Sequence, residues 1–263
     1  PALRSATFAL LLAGLTLATL EGIFRAPNDV RAGIALVALI AFDLFSVTMG
    51  SANFDTMHAR DRLPESAQVA AVRETLEPGA HIDGKRGVRE NYGALHGIPD
   101  IRSISPLRLQ GIEDLLNVSD ARAWELLAVQ VVFSDWNELP VSSTITAQGD
   151  DPYGPYNIHT LDDPRAFAHL TYGVTVVNSD AEAYGLLREP AYDVRSLAIV
   201  EGDPGITLSD TPPVDLGTTE VTEFAPENIT IQTETTAPAI LTLALPHYPG
   251  WIAEIDGQSA DIL

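Results

Sequence analysis

The chain has 263 residues, with 15 Lys and Arg against 36 Asp and Glu, a net charge of −21 and no cysteine. Disulfide scaffolds, thiol nucleophiles and cysteine-ligated zinc are therefore excluded. The acidic balance argues against a nucleic-acid partner, because such proteins need cations to displace the counterions of phosphate. An apolar fraction of 46% is typical of a folded globular protein.

The first fifty residues differ from the rest of the chain. They hold three arginines and three acids, so the whole surplus of 21 negative charges lies in residues 51–263. Two long apolar runs occupy residues 5–20 and 32–47, the second interrupted by Asp43. A membrane helix needs roughly 20 apolar residues to cross about 30 Å of hydrocarbon, so these runs predict a transmembrane hairpin over residues 1–50.

Other interpretations of this region are a buried hairpin in a soluble protein and a signal peptide. Residues 8–20 have no polar stripe to face water, and two runs after Pro1 do not fit a cleaved leader. The hairpin predicts a fragment of a longer multi-pass protein. If the turn with Arg25 and Arg31 is cytoplasmic, the acidic part lies outside the cytoplasm, and Asp43 reaches the interfacial water.

Residues 51–207 are predicted to form a mixed α/β extracytoplasmic domain. Ser119 and Ser179 are expected to cap helices, and the segment 84–105, rich in Gly, Pro, Asn and Arg, is expected to be loop. The predicted helices are residues 64–77, 106–117, 120–127 and 180–188. The predicted strands, rich in β-branched residues, are 128–134, 156–161, 166–178 and 195–202.

Residues 208–263 begin with a linker and then show only strand patterns. The expected strands are 220–224, 229–234, 240–245 and 251–255. Asp256-Gly257 predicts a hairpin turn whose second strand, 259–263, is cut short. The predicted fold class is therefore α+β, with two N-terminal transmembrane helices, a mixed α/β extracytoplasmic domain and a truncated C-terminal β-sandwich.

The segment 89–106 holds more charged, amide and aromatic side chains than a connector requires. Asn91, Tyr92, Asp100 and Arg102 are the side-chain types that sugar or phosphate recognition uses, and they are the predicted substrate-binding residues. The alternative is that they satisfy buried backbone groups in an ordered loop. The six histidines have no metal-ligand spacing, and no phosphate- or dinucleotide-binding motif is present, so neither a metal nor a cofactor is expected.

Residues 91–108 (NYGALHGIPDIRSISPLR) resemble the N-x-G-x-x-x-G-I-x-x-I-x-G-Y-x-P-L segment of YfhO-type bacterial multi-pass membrane proteins, which are grouped with GT-C-like glycosyltransferases. Residues 163–167 (DPRAF), 224–231 (FAPENITI) and 248–257 (YPGWIAEIDG) resemble further blocks of the family, and the similarity spans residues 34–263. The chain departs from the pattern at residues 103–105 and at His247. Trp251 of the YPGW block is expected either to anchor a core or to stack on a ligand.

The resemblance implies the C-terminal extracytoplasmic portion of a glycosyltransferase in the cell membrane. It implies a polyprenyl-phosphate-linked sugar as donor and a cell-envelope glycan as acceptor, with the lipid bilayer as a further partner. It implies a catalytic acid in an early loop outside this sequence, so no catalytic residue is assigned. The alternative function is a non-catalytic, membrane-anchored module that binds carbohydrate or a partner protein. A lipid-linked sugar transporter would need more intramembrane charge than Glu21 and Asp43 supply.

Overall fold

A computed structural model describes residues 2–26, 30–49, 65–88, 91–102, 109–209 and 211–263. The chain divides into two compact units, Pro1–Pro64 and Glu65–Leu263. The first unit contains helices α1 (Ala2–Arg25) and α2 (Val30–Met49), which pack against each other. The second unit is a mixture of short helices and small sheets.

The predicted transmembrane hairpin is wrong. In the part of the chain that the structure describes, no helix has both the length and the apolar character that a membrane crossing requires. At 1.5 Å per residue, the charge-free stretch 5–20 covers about 24 Å and the stretch 32–42 about 16 Å, both short of about 30 Å of hydrocarbon. Charges bound both stretches: Glu21 pairs with Arg25 at 2.6 Å, and Arg31 and Asp43 both lie within α2. Apolar side chains of these helices, such as Leu17, are nevertheless exposed.

A four-stranded sheet forms the centre of the second unit. Its strands are β1 (His81–Asp83), β2 (Val129–Ser134), β3 (Ser143–Asp151) and β4 (Gly154–Leu161), in the order β1-β2-β4-β3. β1 and β2 are parallel, whereas β4 runs antiparallel to both β2 and β3. The carboxyl ends of β1 and β2 therefore lie at the same edge as the turn between β3 and β4.

The helices of this unit begin before the sheet and then connect its strands. α3 (Ala67–Thr75) precedes β1, and three helices lie between β1 and β2: α4 (Tyr92–His96), α5 (Gln110–Leu116) and α6 (Asp120–Leu126). Ser119 caps α6 as predicted, since its hydroxyl accepts from the Arg122 backbone N–H at 3.2 Å. The segment predicted as loop contains α4, and β3 was not predicted because its side chains are mostly polar and exposed.

The predicted strand 166–178 is two strands in the structure. β5 (Ala168–Thr171) and β6 (Gly173–Val177) separate at Tyr172, because they pair with different partners. β6 lies parallel to β7 (Leu197–Glu201), and α7 (Asp180–Arg188) connects the two, capped by Ser179 as predicted.

The C-terminal strands form two-stranded pairs instead of the predicted sandwich. β8 (Thr218–Ala225) pairs with β9 (Asn228–Glu234), and β10 (Ile240–Leu243) pairs with β5. β11 (Ala253–Ile255) and β12 (Gln258–Ala260) form the predicted Asp-Gly hairpin, with φ of 51° and 77° at its two central residues. Because β5 and β10 share a sheet, residues on both sides of position 208 pair with each other. The domain boundary predicted at position 208 stays a prediction.

Two apolar clusters stabilise the second unit. One joins α6 to the central sheet through Trp124, Leu127, Val129, Val132 and Leu161. The other joins β5 to the C-terminal strands through Ala128, Phe167, Ala168 and Ala244. Trp251 of the YPGW block is half-buried.

Candidate functional site

The structure brings Asp100 and Arg102 together at the carboxyl end of β1. Asp100 Oδ1 accepts from the backbone N–H groups of Arg102 at 2.9 Å and Gly84 at 3.1 Å. Burial raises the pKa of the Asp100 carboxyl above its ordinary value, although these hydrogen bonds act in the opposite direction. Asp100 therefore holds the segment after β1 against the segment that carries Arg102.

Asn91 and Tyr92 have different surroundings. The Tyr92 side chain is buried, its hydroxyl accepts from the Ser66 backbone N–H at 3.0 Å, and its ring lies 4.3 Å from that of His96. Asn91 precedes α4 in the left-handed conformation, with φ of 60°. Tyr92 thus ties α4 to the start of α3, in the manner expected of a residue that supports an ordered loop.

A buried carboxylate, Asp83, organises the charges at the end of β1. Its side chain is fully buried and accepts from Arg102 Nε at 3.0 Å and Nη2 at 3.2 Å. The Trp124 indole N–H also donates to it, at 2.6 Å. Arg102 Nη2 donates in addition to Asp120 Oδ1 at 2.7 Å, so the guanidinium connects β1 with the start of α6.

Lys85, the only lysine of the chain, lies between this network and two indole rings. Its ammonium donates to Asp120 and lies 4.4 Å from the ring centroid of Trp136 and 5.4 Å from that of Trp124. These distances are within the range of cation–π attraction. Trp124 is buried, whereas 42% of Trp136 is exposed.

The backbone of Trp136 is fixed by two side chains of β4. Its carbonyl oxygen accepts from Asn157 Nδ2 at 2.9 Å and lies 2.9 Å from Nε2 of the fully buried His159. Because a carbonyl only accepts, His159 donates from Nε2, and its Nδ1 lies within hydrogen-bond distance of the Ser143 hydroxyl, at 3.2 Å. The loop after β2 is therefore held in one position while the indole side chain reaches solvent.

Arg86 connects this loop to the turn between β3 and β4. It forms a bidentate pair with Asp151, at 3.1 and 2.9 Å, and donates to Asp135 at 3.1 Å. The hydrogen bonds from Arg86 hold the pKa of the Asp151 carboxyl well below its ordinary range. The guanidinium carbon lies 5.9 Å from the ring of Tyr153, which is 87% exposed.

We call the surface formed by Lys85, Arg86, Trp136 and Tyr153 the aromatic edge. It combines two exposed aromatic rings with two cations whose carboxylate partners lie beside them. Of the residues predicted to bind a substrate, Arg102 shares a carboxylate with this surface, because Asp120 pairs with both Arg102 and Lys85. The aromatic residues were missed because Trp136 follows β2 and Tyr153 follows β3, and these two strands reach one edge only through the pairing of each with β4.

A second polar cluster lies around β5. The buried Arg165 donates to His169 Nε2, with Nε at 3.1 Å. Burial, together with the charges of Arg165 and Arg195, lowers the pKa of His169 to about 4, so this imidazole is neutral near pH 7. A neutral histidine beside a buried guanidinium serves as its hydrogen-bond acceptor. Across the described parts of the chain, no three His, Asp or Glu side chains are grouped so that they could hold a metal ion.

Comparison with protein-family models, with curated proteins and with solved structures finds no match to this chain. The resemblance to YfhO-type proteins therefore stays a prediction.

Proposed function

We propose that the second unit binds a glycan at the aromatic edge, as the non-catalytic accessory part of a glycosyltransferase-like protein of the cell envelope. The observation that supports it is the pair of exposed rings, Trp136 and Tyr153, beside ion pairs that can hydrogen-bond to hydroxyl groups. The envelope glycan as acceptor, and a polyprenyl-phosphate sugar as donor, follow the resemblance alone.

Glycan recognition needs both components of this surface. The C–H face of a sugar ring is apolar and stacks on an aromatic ring, while its hydroxyls donate to carboxylates and accept from cations. The Trp136 backbone is already fixed by Asn157 and His159, so binding costs little ordering of that loop. Arg86 likewise fixes the loop next to Tyr153 through Asp151.

The carboxylates at this surface favour binding over catalysis. A general base must be positioned to take a proton from a substrate. Instead, Asp83, Asp120 and Asp151 each accept from a cation. Asp100 is turned toward two backbone N–H groups. This arrangement supports a module that orients a glycan for chemistry performed elsewhere.

The experiment measures binding of the full chain to a panel of immobilised polysaccharides and their soluble oligosaccharides. Trp136→Ala and Tyr153→Ala should each weaken binding about tenfold, because a stacked aromatic contact contributes roughly 0.5–1.5 kcal/mol beyond the area it buries. Tyr153→Phe keeps the ring and should bind like the wild type.

Tyr248→Ala is the matched control, since that ring is also exposed, at 59%, but lies between β10 and β11. It should bind like the wild type. The proposal is refuted if the wild-type chain binds no glycan, or if Trp136→Ala and Tyr153→Ala bind as well as the wild type. A loss confined to Tyr248→Ala would place binding in the YPGW segment instead. Circular dichroism of each variant checks that the fold is retained.

A further inference from the structure

Among the described residues, the three cations at and next to the aromatic edge are each paired with a carboxylate. Lys85 pairs with Asp120, Arg102 with Asp83 and Asp120, and Arg86 with Asp135 and Asp151. Three positive and four negative charges sum to −1 within this group.

These carboxylates are held by more than their cation partners. Asp83 is fully buried and also accepts from the Trp124 indole at 2.6 Å. Asp151 also accepts from the backbone N–H groups of Gly87 at 3.0 Å and Tyr153 at 2.8 Å. If an anionic ligand displaced either carboxylate from its cation, that carboxylate would stay near the site without a partner, which is costly for a buried charge.

An anionic ligand that displaced nothing would add a negative charge to a negative surface. Two like charges a few ångströms apart repel each other at the effective dielectric constant of a protein surface. The chain as a whole, at −21, also repels anions as they approach. A neutral hydroxyl avoids both costs, because it can donate to a carboxylate and accept from a cation without separating the pair.

From this arrangement we infer that the ligand of the aromatic edge is a neutral, hydroxyl-bearing glycan, and that uronate, sulfated and phosphorylated glycans are rejected. The inference rests on the proposed function and names the ligand class of the same surface. A consequence is that the phosphate of a lipid-linked donor does not bind at this edge.

The test compares matched neutral and acidic glycans with the full chain. A panel of neutral glucans, mannans and galactans is supplemented by oligogalacturonides in their free-acid and methyl-esterified forms, which differ in charge but share the sugar ring. Neutral members should bind, with affinities that change less than about twofold between about 50 mM and 500 mM NaCl, because no counterions are released. Acidic members should bind at least about tenfold more weakly than their neutral counterparts.

A second arm changes the surface charge. Asp135→Asn removes an exposed carboxylate that pairs with Arg86 at 3.1 Å, and the amide can still contact that guanidinium. It should raise the affinity for acidic glycans, relative to that for neutral ones, about threefold to tenfold. Asp261→Asn, at another exposed aspartate, is the matched control and should change neither.

The outcomes separate the two proposals. If acidic glycans bind more tightly than neutral ones and salt weakens their binding, the inferred ligand class is wrong, whereas the proposal of glycan binding stands. The ligand class is also wrong if Asp135→Asn leaves the ratio of acidic to neutral affinity unchanged. If no glycan of either kind binds, the proposed function itself is refuted.

Discussion

Arg102 shows how one side chain can link a buried charge to the surface. Asp83 lies at the end of β1 with its carboxylate fully buried, and the Arg102 guanidinium covers both of its oxygens. Its Nη2, which contacts Asp83, also donates to Asp120, and Asp120 in turn pairs with Lys85 beside the Trp136 ring. The position of the exposed indole therefore depends on a pair formed inside the fold.

Arg102→Ala should lower the free energy of unfolding by about 2–4 kcal/mol, because it removes the cation that pairs with the buried Asp83 and leaves, among the described donors, the Trp124 indole. Urea denaturation followed by tryptophan fluorescence measures the change. Arg73→Ala is the control, since the Arg73 side chain is 45% exposed and its pair with the half-buried Glu65, at 3.3 Å, should contribute less than about 1 kcal/mol. If both variants lost the same free energy of unfolding, the buried pair of Arg102 and Asp83 would contribute no more to stability than the pair of Arg73 and Glu65.

Among the structural elements, the loop after β1 depends on a close approach of glycine to an aromatic ring. A Cβ at Gly87 would lie 2.3 Å from the Tyr156 ring, and so would a Cβ at Gly149 on β3. The buried ring of Tyr156 is thus enclosed by two glycines from different elements. This contact sets how closely Lys85 and Arg86 lie to the sheet.

Gly87→Ala should destabilise the second unit by about 2–4 kcal/mol, because φ of +70° strains a non-glycine residue and the added methyl overlaps the Tyr156 ring. The same variant should weaken glycan binding, since the displaced loop carries two residues of the aromatic edge. Gly202→Ala is the matched control. Its φ is +83°, but no atom lies within 4 Å of the added Cβ, so only the backbone strain of about 1–2 kcal/mol remains.

Thermal unfolding of both glycine variants checks the expected difference in stability, and glycan binding measured on the folded proteins checks the expected loss of affinity in Gly87→Ala. If Gly87→Ala is no less stable than Gly202→Ala, the ring contact does not constrain the loop.

Across the whole molecule, the features that could be predicted from the sequence are those that depend on residues close together in the chain. Ser119 and Ser179 cap their helices because a hydroxyl satisfies a backbone N–H three residues on, and Asp256-Gly257 forms its turn because both residues adopt positive φ. The break at Tyr172 was not predictable in this way, since it arises from pairing with strands far along the chain.

The same distinction explains the errors at the N-terminus and at the candidate site. The hairpin prediction weighed the apolar character of two runs more than the positions of Arg31 and Asp43, which shorten the second run. Asp100 and Arg102 were predicted to bind a substrate from their chemistry, and that assignment stays a prediction. The pair between Arg102 and Asp83 was not predicted, because the burial of Asp83 against Trp124 depends on how α6 packs on the sheet.

The net charge should make the stability of the molecule depend on salt. With 36 acidic residues against 15 basic ones, repulsion among surface carboxylates opposes the compact state. Raising NaCl from about 0.05 M to 0.5 M shortens the screening length from roughly 14 Å to 4 Å, and should raise the thermal midpoint of the second unit by about 3–6 °C. Fluorescence reports on this unit, since all three tryptophans lie within it.

The control is the same titration near pH 4.4, the isoelectric point of the chain, where the net charge and therefore the salt effect should vanish. Salt screens the partly buried ion pairs of Asp83 and Asp151 less than it screens exposed charges. Weakening of these pairs by salt therefore does not offset the rise of the thermal midpoint at neutral pH. A midpoint that falls with salt at neutral pH would mean that attractive pairs, and not the excess of carboxylates, dominate the electrostatics of the fold.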